Sequence, residues 1–365
     1  MKNGYFIGAM TGTSLDGLDL ALCHITPTET KVCHSHNCAL PEALRESLKQ
    51  LISGEQTTLH ELGLCDAALG EFYAEKINEW LTTLKFDPSN IIAIGNHGQT
   101  IWHAPNAEHP FTMQIGDNHR LAARTGIPVV GDIRRMDMAY GGQGAPLVPA
   151  FHDAVFRKEG KATAVVNIGG LANVSVMLPG QAVYGFDTGP GNTLMDIWVG
   201  DYNGNKYDKD AELALQGHVN RALLAQMLQD PYFALPYPKS TGREYFHRAW
   251  LEHHLASFTA ISAADVQATL CELTARTIVD ALPENITELL VCGGGARNPL
   301  LMQRLGDLLP NATVADTELY QLDPDYIEAA AFAWLAYRRV NMLHGNFLEV
   351  TGAEKPAILG AIYQP

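Results

Sequence analysis

A pattern that occurs twice along the chain narrows the possible folds most. A short apolar run predicts a strand over 5–9. A polar turn with glycines follows at Thr11-Gly-Thr-Ser-Leu-Asp-Gly17, and two more strands are expected over 18–25 and 31–39. Helices are expected over 41–52 and 58–84, the second opened by the capping box Thr58-Leu-His-Glu61. The same order then returns. Strands are expected over 163–168, 174–178 and 182–186, with Gly169-Gly-Leu-Ala-Asn173 as the glycine turn, and helices over 192–200, 219–228, 243–256 and 263–282 follow. The two turns lie 157 positions apart (169 − 12). A plain hairpin needs only two loop residues. Both turns keep further small, hydrogen-bonding residues, which favours a duplicated architecture over two unrelated hairpins. Weak alternation along the strands fits sheets covered on both faces by helices, an α/β arrangement.

At 365 residues the chain has room for about two domains, each with its own core. Its 25 Lys+Arg against 40 Asp+Glu give a net charge of −15, which argues against a nucleic-acid partner, because a phosphate backbone demands a basic face. A phosphate held by a few local groups is still compatible. No segment reads as an export signal, and the apolar run at 329–337 is far below the ~20 residues of a membrane span. The six cysteines are scattered without CxxC spacing, so a reduced, cytoplasmic protein is expected.

Four segments carry chemistry. The first is the turn Thr11-Gly-Thr-Ser-Leu-Asp-Gly-Leu-Asp19, with two glycines, three hydroxyls and two carboxylates. Glycines admit a phosphate close to the backbone, and Asp16 or Asp19 could hold Mg²⁺. It lacks the Gly-Lys-[Ser/Thr] of a Walker loop and leads into a strand, so it is not a dinucleotide fingerprint either. The second is Gly185-Phe-Asp-Thr-Gly-Pro-Gly-Asn192, where Asp187 is read at a strand end beside a helix start capped by Asn192, a good place for a general base. The third is Gly293-Gly-Gly-Ala-Arg-Asn-Pro299, between a strand and a helix, where three glycines clear side chains from a surface on which a flat base could lie. The fourth gathers His97, Gln99 and Thr100, which can hydrogen-bond a polar ligand, with Arg134 or Arg135, which can pair with a substrate carboxylate. Zinc fits poorly: His97 and His103 lack HExxH spacing, and the Cys33–Cys38 cluster lies on a strand whose residues alternate faces. The polar loop Pro238-Lys-Ser-Thr-Gly-Arg-Glu244 carries no role that its residues alone define.

The duplicated three-stranded unit with glycine turns, followed by a late Gly-Gly-Gly turn, resembles the actin, hexokinase and heat-shock chaperone superfamily of ATP-binding folds. More specifically, the motifs resemble the anhydro-N-acetylmuramic acid kinase family. They run in order through nearly the whole chain: Gly12-Thr-Ser-Leu-Asp-Gly-Leu-Asp19, His97-Gly-Gln-Thr100, Gly131-Asp-Ile-Arg134, Gly141-Gly-Gln-Gly-Ala-Pro-Leu147, Asn167-Ile-Gly-Gly-Leu-Ala-Asn173, Phe186-Asp-Thr-Gly-Pro-Gly-Asn192, Lys239-Ser-Thr-Gly-Arg-Glu244 and Cys292-Gly-Gly-Gly-Ala-Arg-Asn298. Ile133 stands where the family commonly has an aromatic.

The resemblance implies a two-lobed actin/hexokinase-like (ribonuclease H-like) α/β fold, with duplicated mixed sheets and helices around a central ATP cleft. The expected division is 1–133 plus 344–365, and 134–343. It implies a sugar kinase that uses ATP, Mg²⁺ and water to open 1,6-anhydro-N-acetylmuramic acid while phosphorylating O6, in recycling of cell-wall fragments. Asp187 would be the base. Gly12, Thr13, Ser14, Leu15, Asp16, Gly17, Leu18, Asp19, Gly169 and Gly170 would hold the phosphates, with Asp16 taken as the metal residue. Gly293, Gly294, Gly295 and Asn298 would hold adenosine, while His97, Gln99, Thr100 and Arg134 would bind the sugar and its lactyl carboxylate. A cytoplasmic homodimer with no nucleic-acid or membrane partner is implied. The rival readings are another sugar kinase of the superfamily, acting on a free hydroxyl, and an ATP-gated binding module.

Overall fold

In the computed structural model, which describes residues 1–12, 15–53, 57–242 and 244–365, the first glycine turn joins β1 (Gly4–Thr11) to β2 (Gly17–Ile25), which turns back into β3 (Thr30–Ala39). Both pairs are antiparallel. The helices Glu42–Ile52 and Leu59–Leu84 then carry the chain to β4 (Ile91–Asn96), which lies parallel to β1 on its other side. A parallel neighbour requires such a crossover. The longer helix starts where its capping box places it: Thr58 accepts from Glu61 N, and the Glu61 carboxylate accepts from Thr58 N. A separate ribbon of β5 (Gln99–Ala104) and β6 (Phe111–Ile115) follows, and then β7 (Val129–Gly131), parallel to β4.

The second copy is built from β8 (Thr163–Ile168), β9 (Leu171–Met177), β10 (Tyr184–Pro190), β11 (Glu288–Cys292) and β12 (Thr313–Asp316). Near the C-terminus β13 (Ala361–Tyr363) returns to pair with β7. The sheet orders are β13-β7-β4-β1-β2-β3 and β10-β9-β8-β11-β12. Apart from β13 they are the same: an antiparallel three-strand meander, with two further strands added parallel to the first. The expected duplication is therefore present in topology as well as in element order.

Two compact units result, Met1–Val155 with Tyr326–Pro365, and Phe156–Asp325. These boundaries differ from the expected breaks at 133/134 and 343/344. Residues after Arg134 stay with the first unit because Arg134 bonds to His97 and Asp137 is held by Asn346 and Thr351. The helix Ile327–Val340, visible in the sequence only as an apolar run, belongs there too. It lies on β1 and β4 over Gly8 and Gly95, which are partners in register. A Cβ on Gly8 would fall well under 3.0 Å from the Ala329 carbonyl oxygen, and so would one on Gly95 from that of Phe332. Glycine at both positions, with Ala329, Ala333 and Ala336 on the helix, lets backbone meet backbone. No helix among the described residues is long and apolar enough to cross a membrane.

The core of the first unit packs Ile7, Leu18, Leu20 and Leu22 of its sheet against Leu69, Tyr73 and Ile77 of the long helix. The second unit buries Val166, Val174 and Val176 against Leu270, Leu273 and Ile278 of the helix Ala263–Val279, whose first turn is capped by Ser262. Each fully buried aliphatic side chain contributes about 1.5–3 kcal/mol relative to exposure. These cores fix the strand ends from which the glycine turns project.

Candidate functional site

In the second unit three glycine segments converge at the carboxyl end of β8. The turn at Gly169 and Gly170 accepts three backbone hydrogen bonds: from Asn192 N to Gly169 O (2.8 Å), and from Gly191 N and Thr193 N to Gly170 O (2.9 and 3.0 Å). A Cβ on Gly191 would collide with the Gly169 carbonyl. The helix Thr193–Asn203 starts here, though not as the sequence suggested. Asn192 makes no side-chain cap; its Nδ2 donates instead to Ile168 O (3.2 Å), tying the helix start to β8.

The Gly293–Gly295 turn packs on the same strand end. Gly293 adopts φ +76°, and a Cβ there would strike Asn167 Oδ1, while one on Gly295 would strike the Ile168 side chain. Two of the three glycines are thus required by packing. Only Gly294 has room above it, with Asn192 Nδ2 as the nearest atom at 3.7 Å from an added Cβ. Asn298 caps the helix Pro299–Leu308 by accepting from Leu301 N (3.0 Å). Arg297 anchors the turn from behind through Glu318, Asp323 and Asp325. Side-chain-free turns beside a helix start are suited to a phosphate chain.

Asp187 lies within β10 rather than at a strand end, opposite Asn173 of β9, with a bulge before Gly189. Its carboxyl is half-buried, and burial pushes it up to about 6, partly offset by Thr241 N–H, which donates to Oδ2 (3.0 Å). Its main chain is engaged as well: Asp187 N donates to Lys239 O (3.1 Å), and the Tyr232 hydroxyl donates to Asp187 O (2.7 Å). A carboxylate near neutrality, with no cation in contact among the described residues, has the chemistry of a general base. The polar loop at 238–244, which has no role in the sequence reading, is the one that holds it. Arg243 lies outside the described residues.

In the first unit the β1–β2 turn contains Gly12, Leu15 and Asp16, while Leu18 and Asp19 already pair with Thr11 and Met10. Thr13 and Ser14 lie outside the described residues. Leu15 and Leu18 bury their side chains in the core, leaving only their backbone for a ligand. Asp16 is exposed. Asp19 accepts from Asn37 Nδ2 (2.8 Å), and Gly17 is where a Cβ would block Asn37.

His97 follows β4 and packs against Phe332, the ring centroids 4.7 Å apart and the planes tilted by 41°. Arg134 Nε and Nη2 lie 3.1 and 2.9 Å from His97 Nε2, so that nitrogen is an acceptor and the ring proton sits on Nδ1. Burial, then the Arg134 charge, hold the imidazole well below its ordinary value, and it stays neutral. Arg134 Nη1 donates to Gly144 O (2.7 Å). Burial lowers the guanidinium to about 10, while Glu328 and Asp137 raise it. Arg135, the other candidate, pairs at the surface with Asp132 (2.6 Å). Gln99 and Thr100 are turned differently: Gln99 Nε2 donates to Thr100 O (3.1 Å), and Thr100 Oγ1 accepts from Gln114 across the ribbon (3.1 Å). Gln99 Oε1 is buried with no hydrogen-bond partner among the described residues.

Asp137 is absent from the residues that the sequence singles out. Fully buried, it accepts from Asn346 Nδ2 (2.6 Å), Thr351 Oγ1 (2.7 Å) and Gly144 N (2.8 Å), and so holds the residue whose carbonyl receives Arg134. Its two side-chain partners lie 209 and 214 residues away, and no local motif announces them. Among the described residues no group of three or more His, Cys, Asp or Glu could hold a metal.

A twice-repeated meander with parallel fourth and fifth strands and glycine turns at the strand ends defines a protein of the actin- and hexokinase-like ATPase fold. The component A of (R)-2-hydroxyglutaryl-CoA dehydratase from Acidaminococcus fermentans shares this fold, with a TM-score of 0.51 and 12% identity over 92% of this chain and 99% of that one. The family model for anhydro-N-acetylmuramic acid kinase matches residues 4–365. The anhydro-N-acetylmuramic acid kinase of Pasteurella multocida is 54% identical over 363 residues, 98% of this chain and 96% of its own length. That of Haemophilus influenzae is 52% identical over 377 residues, 100% of this chain and 98% of its own. The chain belongs to the anhydro-N-acetylmuramic acid kinase family and is a phosphotransferase.

Proposed function

We propose that the enzyme converts 1,6-anhydro-N-acetylmuramic acid, ATP and water to N-acetylmuramic acid 6-phosphate and ADP. More than 50% identity to two kinases of that name over nearly the full length carries this reading. The chemistry of the substrate then sets what the site must do. O6 is locked in an ether and has no proton for a base to remove. Water must attack C1 while its proton passes to the base. The C1–O6 bond breaks, and the O6 electron pair attacks the γ-phosphorus, releasing ADP. Asp187 is the base in this scheme. Its carboxylate is half-buried, near neutrality and steadied by the Thr241 amide.

Phosphoryl transfer depends mainly on positioning and charge stabilisation. Gly169, Gly170 and the Gly12–Asp19 turn would hold the phosphates, and the Gly293–Gly295 turn with Asn298 would hold adenosine. Among the carboxylates of the first turn, exposed Asp16 is the better placed to take part in holding Mg²⁺, since Asp19 is engaged by Asn37. The ion would supply charge neutralisation of the phosphates. Arg134, fixed by His97 and Gly144, would receive the lactyl carboxylate, and the buried Gln99 oxygen would accept from a sugar hydroxyl or amide. A cytoplasmic homodimer acting in cell-wall recycling completes the reading.

Turnover in ¹⁸O-labelled water tests the scheme. The label is expected on the C1 hydroxyl of the product and absent from its phosphate. Label in the phosphate, or none in the product, overturns ring opening by water. A second expectation concerns pH. The base must be ionised, so kcat/KM should rise with pH along an acidic limb centred near 6 and level off above it. A limb near the ordinary carboxylate value would mean that Asp187 is not the group being titrated.

A further inference from the structure

β10 is the edge strand of its sheet, and a second segment covers its open side. Tyr184 and Phe186, two residues apart on one face of β10, present parallel rings 6.3 Å apart. The Tyr237 ring lies flat against both, 4.6 Å from Tyr184 and 5.7 Å from Phe186, with interplanar angles of 15° and 13°. From this anchor the chain continues around the strand edge. Lys239 O accepts from Asp187 N, and Thr241 N reaches the Asp187 carboxylate, whose side chain follows Phe186 and so points to the other face. Lys239 Nζ does not pair with Asp187; it donates to Tyr232 O and Phe233 O (3.3 and 3.2 Å) and sits 4.8 Å over the Tyr232 ring. Tyr237 is 57% exposed, so its contacts hold the segment without filling a core.

We propose that Tyr237 is a positioning residue for the reaction: stacked on Tyr184 and Phe186, it pins the 237–241 segment to the edge of β10 and thereby fixes the Asp187 carboxylate and shields it from water. The inference rests on the reading of Asp187 as the base. Among the described residues, Tyr184, Tyr232 and Lys239 are the ionisable side chains packed with Asp187 and Tyr237 in this clasp. Burial pushes the two tyrosine hydroxyls up and the lysine ammonium down. Asp187 is the one carboxylate in that set. Burial outweighs the Thr241 hydrogen bond at Asp187, so a loosened clasp lets water in and moves the carboxyl back toward its ordinary range.

The test compares Tyr237→Ala, Tyr237→Phe and Asp187→Asn in the full-length enzyme, measuring kcat, both KM values and the pH dependence of kcat/KM. Tyr237→Phe keeps the ring and should match the wild type. Tyr237→Ala should lower kcat about tenfold, the scale of a lost aromatic stack. It should also move the acidic limb down by about one pH unit while both KM values stay within about twofold. An unmoved limb, with or without a fall in kcat, overturns the proposal, as does Tyr237→Phe behaving like Tyr237→Ala. If Asp187→Asn keeps its turnover, the base reading fails instead, and the two failures are thus distinct. Should thermal unfolding show that Tyr237→Ala does not fold, Tyr237→Leu, apolar but without a flat ring, is judged by the same criteria.

Discussion

Replacing Asp187 by asparagine is expected to cut turnover sharply and to raise thermal stability at the same time. Loss of a general base lowers the rate by about 10²–10⁴-fold, so kcat should fall by roughly 10³ with ATP and sugar affinities little changed. The stability effect follows from linkage. The carboxyl titrates at about 6 in the folded enzyme, against an ordinary value of 3.8. Between those values the folded state holds a proton that the unfolded state has lost, so stability falls as pH rises through that window and stays low above it. At about pH 8 the folded enzyme carries a half-buried carboxylate at a cost of at most about 3 kcal/mol. Asparagine removes the charge, and its side-chain oxygen can still accept from Thr241 N. The variant should therefore melt a few degrees above the wild type at about pH 8, and the gap should close at about pH 4, where Asp187 is largely protonated. Equal melting at both pH values would show that the folded enzyme exerts no such strain on Asp187. Preserved turnover would remove Asp187 from the mechanism.

How much of this is legible in the sequence depends on distance along the chain. The duplication is visible because strand, turn and strand are local patterns, and the turn at Gly169 needs only its neighbours to form. Capping at Thr58 and Ser262 is legible for the same reason. Asp187 stands out by its glycine-rich surroundings, yet its place inside β10 does not. The run Thr188-Gly-Pro-Gly191 lies beyond the strand expected over 182–186, whereas the strand continues to Pro190. The clasp on Asp187 comes from Tyr232, Lys239 and Thr241, 45 to 54 residues onward, and nothing near Asp187 points to them. Arg134 is visible as an arginine worth explaining in an acidic chain. That it, and not Arg135, turns inward is decided by His97 and by Asp137, whose own partners lie at 346 and 351. The Gly-Gly-Gly turn reads as room for a ligand, but two of its glycines are there to let β8 pass.

The helix Ile327–Val340 is the least legible element, and it supplies the second large effect. Gly95→Ala should destabilise the first unit by more than about 3 kcal/mol, beyond the usual range for an overpacked site. The added Cβ meets the Phe332 carbonyl, which is backbone and cannot rotate away, so the helix itself must move. Gly63→Ala is the control. Gly63 lies in the helix Leu59–Leu84 with nothing within 4 Å of an added Cβ, and alanine there should be neutral or stabilising by up to about 1 kcal/mol. The damage should also reach the ligand. Phe332 packs against His97, which receives Arg134, so any folded Gly95→Ala enzyme should lose more affinity for the anionic sugar than for ATP. Gly8→Ala presses on the same helix through Ala329, and the two residues are register partners. A single outward shift of the helix relieves both clashes, so the double variant should lose less than the sum of the singles. Strict additivity in chemical unfolding would mean that each glycine meets an independent obstacle, and a Gly95→Ala enzyme as stable as the wild type would mean that the helix does not rest on the sheet at this point.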